Sequence, residues 1–188
     1  DQILVQAPVY HVFFNCIKNN GREILSNDLV YKDGSYEIDF EDLEAKLAQP
    51  LTTMMLLCNP HNPIGKIWDK ETLKKIGELC YKHDVLVISD EIHCDITDPG
   101  LSYVPFISVS EECKNNSITC ISPTKAFNIA GLQSSAIVTP NEQIRARINA
   151  AVNYDEIGEA NAFAITATIA AFNDSQTWLD ELREYLFE

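Results

Sequence analysis

Two uninterrupted apolar stretches, "TTMMLLC" at 52–58 and "VLVIS" at 85–89, constrain this chain more than any other feature. A strand with one face in water alternates apolar and polar residues, whereas a strand apolar at every position is covered on both faces. Between the two lies a segment of helical spacing. Asp69 stands where a cap belongs, and Leu73, Ile76 and Cys80 share one face. A helix between two buried strands predicts a crossover unit of a parallel sheet.

The same rhythm runs along the rest of the chain. "ILVQ" at 3–6 reads as a buried strand, and "YHVFFNCIKNNG" as a helix that stops at Asn20–Gly21. "REILS" is a further strand, Asp33–Gly34 marks a hairpin or excursion, and Asp39 caps "FEDLEAKLAQ". "SITCIS" at 117–122 follows a short helix, and "SAIVT" at 135–139 is one more strand. From Asn141 onward the pattern is helical, with a small-residue helix around "AFAITATIAAF" and an amphipathic, uncapped end at "TWLDELREYLFE". The expected fold is α/β, a mostly parallel sheet flanked by helices in a three-layer sandwich.

At 188 residues the chain is long enough for one domain with a real core. A net charge of −14 argues against nucleic acid or an anionic membrane as the main partner. No run approaches the ~18 apolar residues of a membrane span. Six cysteines, at 16, 58, 80, 94, 113 and 120, include no C-x-x-C pair. Most lie in apolar runs, where a reduced thiol packs as a small hydrophobe, so a reducing, cytoplasmic setting is expected.

In a parallel sheet, ligands bind beyond the carboxyl ends of the strands. The loops there carry Tyr10, then Asn62 in "NPHNP", then Asp90 and His93 in "SDEIHCD", then Ser122, Thr124 and Lys125 in "SPTKAFNIAG". Taken singly, each has an ordinary use: Asp90 as a cap or ion pair, His93 as a structural imidazole, Asn62 as a turn former, Tyr10 in the core, Lys125 in water. Their common edge is what makes them a candidate site. "DEIHCD" lacks HExxH spacing and an evident full ligand set, so no metal is expected. GxGxxG, the phosphate-binding GxxxxGK[ST] and the GxSxG elbow are all missing.

"NPHNPIG", "SDEIH" and "SPTKAFNIAGLQSS", in this order, resemble the fold-type I enzymes that use pyridoxal 5′-phosphate (PLP), the class I/II aminotransferase superfamily. "QAPVYHVFF", "NNGREI", "NPHNPIGKIW" and "KAFNIAGLQSS" are most similar to its cystathionine β-lyase-like group of carbon–sulfur lyases, which includes a maltose-regulon modulator. The resemblance implies a PLP cofactor and roles residue by residue. Lys125 would hold the cofactor through its amine and move the substrate α-proton, helped by desolvation among apolar neighbours. Asp90 would pair with the pyridine nitrogen. Asn62 and His93 would face the ring's phenolate oxygen, Tyr10 would stack on the ring, and Ser122 and Thr124 would lie near the phosphate. Gln133 stands where aminotransferases usually place an arginine, and Ala126 where a hydroxyl residue is common.

Family members are about twice as long as this chain, so the resemblance implies further segments. An N-terminal arm and a phosphate-cupping loop would precede Asp1. Residues 1–174 would be the PLP-binding large domain, and 175–188 the start of a helix leading to a smaller C-terminal domain. The implied activity of the whole enzyme is β-elimination from cystathionine or a cysteine-S-conjugate, with residues 1–188 alone inactive and the full enzyme a homodimer. An aminotransferase of the same fold, a regulatory binding module with incidental catalysis, and a silent remnant remain as alternatives.

Overall fold

Residues 1–188, all described by the computed structural model, form eight strands and seven α-helices. The strands are β1 (Gln2–Val5), β2 (Glu23–Ser26), β3 (Val30–Lys32), β4 (Ser35–Glu37), β5 (Thr52–Cys58), β6 (Leu86–Asp90), β7 (Ser117–Ile121) and β8 (Ala136–Val138). The helices are α1 (Val12–Asn19), α2 (Phe40–Leu47), α3 (Lys70–Lys82), α4 (Glu111–Asn115), α5 (Glu142–Tyr154), α6 (Ala164–Asp174) and α7 (Gln176–Phe187). Six strands form one sheet in the order β2-β1-β5-β6-β7-β8. The first five run parallel, and β8 lies antiparallel on the edge beside β7.

Local chemistry explains the boundaries. Asp39 accepts from the amides of Glu41 and Asp42, and Asp69 from that of Thr72, so α2 and α3 begin where orphan amides meet a carboxylate. The β3–β4 hairpin closes through Asp33 and Gly34, both with positive φ, as a tight two-residue turn requires.

Residue alternation along the strands sends side chains to two layers. Leu4, Met55, Leu57 and Val87 pack with Leu43 and Leu47 of α2, Leu73, Ile76 and Cys80 of α3, Phe106, and Cys113 of α4 in a cluster of 15 buried residues. Gly77 lets α3 come close to α4; a Cβ there would stand 2.2 Å from the Cys113 sulfur. Ile3, Val5 and Cys58 pack with Val9 and Ile17 in a cluster of five beneath α1.

The chain leaves β1 toward β2, then returns across the sheet to β5 on the other side of β1. The carboxyl ends of β1 and β5 therefore diverge into loops on opposite sides of a topological switch point, where α/β sheets open a crevice.

Candidate active site

Four loops at that edge enclose a cavity of about 450 Å³. Tyr10 follows β1, and Asn62 follows β5. Asp90 ends β6, with His93 one turn beyond, while Ser122, Thr124 and Lys125 follow β7. All seven residues singled out from sequence line this one cavity.

Register sets the floor. Asp90 pairs with Cys58 on β5 and with Cys120 on β7, so its carboxylate lies between two thiol-bearing positions on the same face of the sheet. Burial pushes the Asp90 carboxyl above the usual aspartate range. A hydrogen bond from the Ile92 amide (3.2 Å) and the charges of His93 and Lys125 act against that rise. His93 is half-buried, and burial lowers its pKa; Asp90 opposes the shift and Lys125 adds to it. The Cys58 thiol, pushed up to about 12 by burial, stays protonated and accepts from the Asn62 amide at 3.4 Å.

The loop after β7 is braced from within. The Ser122 hydroxyl donates to the Ser134 carbonyl (2.6 Å), lies 2.6 Å from the Thr124 hydroxyl and accepts from the Thr124 amide (3.1 Å). With its hydrogen on Ser134, it must receive that of Thr124. Both hydroxyl protons are thus committed inside the loop. Lys125 also departs from expectation. Its small and apolar sequence neighbours suggested desolvation, yet the side chain is exposed. Tyr10 sits at the mouth, 38% exposed, with its ring edge-on to Phe13.

The cavity also takes in Cys58, Ile92, Ala130, Gln133, Ser134 and Ser135. Gln133 was marked by the resemblance; the other five were not singled out. Cys58 reads as a core residue in sequence, and is one by burial, but its sulfur forms part of the floor. Ser134 and Ser135 reach the wall because Gln133 adopts the left-handed conformation and turns the chain back toward Ser122. The hydroxyl pair in "GLQSS" was the signal available.

The chain is similar to proteins already known. The family model for aminotransferase class I and II matches residues 1–188. Cystathionine beta-lyase PatB of Bacillus subtilis is 50% identical over 186 residues, which cover 99% of this chain and 48% of that protein. Cystalysin from Treponema denticola, whose crystal structure contains pyridoxal 5′-phosphate, superposes with a TM-score of 0.92 at 35% identity, over 98% of this chain and 47% of the other. A PLP-bound C-S lyase from Staphylococcus hominis superposes at 0.93 with 35% identity, over 100% of this chain and 46% of its own. The chain spans about half the length of the curated relatives it matches.

Proposed function

The chain belongs to the class I and II aminotransferase family, and from that premise we propose that it is the cofactor-binding part of a PLP-dependent carbon–sulfur β-lyase. The substrate would be a small amino acid bearing a β-thioether, such as cystathionine or a cysteine-S-conjugate, cleaved to a thiol, pyruvate and ammonia. The observation that carries this reading is the convergence of Lys125, Asp90 and Asn62 on one cavity, in a chain half identical to a cystathionine β-lyase.

The donor set suits the cofactor. A cavity of about 450 Å³ lies within the range of small-ligand sites. Asp90 is a buried carboxylate able to face a protonated ring nitrogen. Asn62 offers an amide N–H and His93 an imidazole for the ring's oxygen, and Tyr10 offers an aromatic face. When bound, the ring supplies an electron sink for the bond broken at the substrate α-carbon. Lys125 provides the amine that holds the cofactor and then moves the α-proton. Asp90, held in place by the Ile92 amide, keeps the opposing charge fixed where it strengthens that sink. Burial raises its pKa, and the Ile92 amide and the charges of His93 and Lys125 oppose that rise only in part.

Residues 175–188 would lead into a second, smaller domain, and the active enzyme would be a homodimer. A reducing, cytoplasmic setting fits six cysteines that all stand free. No helix is long and apolar enough to cross a membrane.

The test is product analysis of the full-length protein with PLP and cystathionine. Thiol and pyruvate in equal amounts are expected. An exchanged amino group without thiol would make it an aminotransferase. Borohydride reduction followed by peptide mapping should label Lys125, and a label on Lys66 or Lys114 instead would remove Lys125 from its role. Asp90→Asn should retain PLP yet lower turnover on the order of 10²-fold, because the amide carries no charge to oppose that of the ring.

A further inference from the structure

The two loops that flank the switch point are not held together by the sheet. The β1–β5 ladder ends at Leu4 and Met55, while β5 continues three residues further. Beyond that point the chain carrying Tyr10 turns toward β2, with the Leu29 amide donating to the Ala7 carbonyl. The chain carrying Asn62 turns the other way, closed on itself by hydrogen bonds between the His61 and Lys66 backbones (2.7 Å) and between Gly65 and His61 (2.8 Å).

One side chain crosses the gap. His61 is 1% exposed, and its Nε2 donates to the carbonyl of Pro8 at 3.0 Å. A carbonyl can only accept, so the proton is on Nε2 and Nδ1 is bare; Nδ1 is buried and has no partner. Trp68 meets the imidazole edge-on at 5.8 Å and fixes its plane. Burial lowers the pKa of His61, against the opposing effect of the Pro8 and Gln6 backbones, and the Nε2–H donor is present whichever protonation state the ring takes. Pro8 lies two residues before Tyr10, and His61 adjoins Asn62, so the bond joins the roots of two cavity walls.

We propose that His61 is a positioning residue: through its hydrogen bond to Pro8 it holds the Tyr10 loop against the Asn62 loop and so maintains the separation between the aromatic and amide walls of the cavity. This rests on the reading of the cavity as a PLP site, but the tether itself does not.

The test uses the full-length protein with His61→Leu, which keeps bulk without a donor, and His61→Gln, which keeps an N–H donor. In the cofactor-free state, hydrogen exchange should quicken about tenfold at the Phe13 and Leu29 amides in His61→Leu, with the Glu91 amide on β6–β7 unchanged. The dissociation constant for PLP, followed by absorbance, should rise about tenfold. His61→Gln should recover most of both changes. Unaltered exchange at Phe13 and Leu29 would overturn the tether, as would equal quickening at Glu91, which marks a general loss of core. A loosened loop with unchanged PLP affinity would overturn its bearing on the site. If the wild-type protein takes up no PLP, the proposed function fails while the exchange comparison still decides the tether. Should His61→Leu not fold, nitrogen NMR of the wild type decides: a slowly exchanging Nε2–H is expected, and an Nδ1–H tautomer would overturn the proposal.

Discussion

Residues 1–121 and residues 122–188 are held in place by different means. Every buried member of the two apolar clusters lies between Ile3 and Cys113. Beyond Ile121 the buried apolar residues are Ala126, Ala164, Ala171 and Leu179, whereas Tyr154, Ile157, Phe163, Ile165 and Tyr185 stand in solvent, Tyr154 at 89%. Both regions have apolar helical faces, but the first contributes five of the six strands of the main sheet and the second only β8 at its edge. The candidate site straddles the division. Tyr10, Asn62, Asp90 and His93 stand on the closed core, and Lys125, Gln133, Ser134 and Ser135 on the open part, so the carboxylate side of the cavity is the more firmly built.

The sharpest way to break this comparison is a pair of truncations. Leu73→Ala removes a fully buried side chain from the larger cluster and should cost about 2–5 kcal/mol in urea unfolding. Ile165→Ala, at a site 63% exposed, should stay within about 0.5 kcal/mol in the cofactor-free monomer. Equal costs would mean that the second region has a core of its own. Two glycines make a smaller contrast. Gly77→Ala drives a Cβ against the Cys113 sulfur and should destabilise by about 1–3 kcal/mol, while Gly131→Ala meets nothing within 4 Å and should be near neutral.

Capping should ignore the division, since it depends only on the first turn. Asp69→Ala and Asn141→Ala each remove a side-chain acceptor for helix amides, so each should lower stability by about 1 kcal/mol, provided both regions unfold together. A silent Asn141→Ala would indicate that α5 melts separately from the core.

The smallest expected effect is a change of slope. Glu91 is 1% exposed and accepts from Ser89 (2.8 Å), from the Phe106 amide (3.0 Å) and from the Tyr103 hydroxyl, all in the first region. Burial raises its pKa above the ordinary 4.5. The folded state thus prefers the protonated form. The corresponding stabilisation is full below 4.5 and is lost as pH rises through the higher folded value. Glu91→Gln cannot titrate. Its urea midpoint should therefore gain on the wild type as pH rises from 4.5, and a constant difference across that range would contradict the assignment.

Much of this was legible without coordinates. Continuous apolar runs at 52–58 and 85–89 required a strand covered on both faces, and β5 and β6 are the central strands flanked by β1 and β7. Asp39 and Asp69 marked helix starts because a carboxylate beside unpaired amides is a local matter. The order of Asn62, Asp90 and Lys125 along a strand-and-helix pattern was enough to put them on one edge, since parallel strands point their carboxyl ends the same way. Tertiary structure decided what depends on distance between remote segments. "SAIVT" reads as one more strand, but only pairing shows Ala136–Val138 running antiparallel to β7 at the sheet's edge. Lys125 looked sheltered by its sequence neighbours, yet shelter comes from what folds over a side chain, and nothing within residues 1–188 covers it. Cys58 and Ser134 became walls through a strand register and a left-handed turn. The bond from His61 to Pro8 spans 53 residues, a contact that no local periodicity encodes because it exists only once the sheet has brought two diverging loops together.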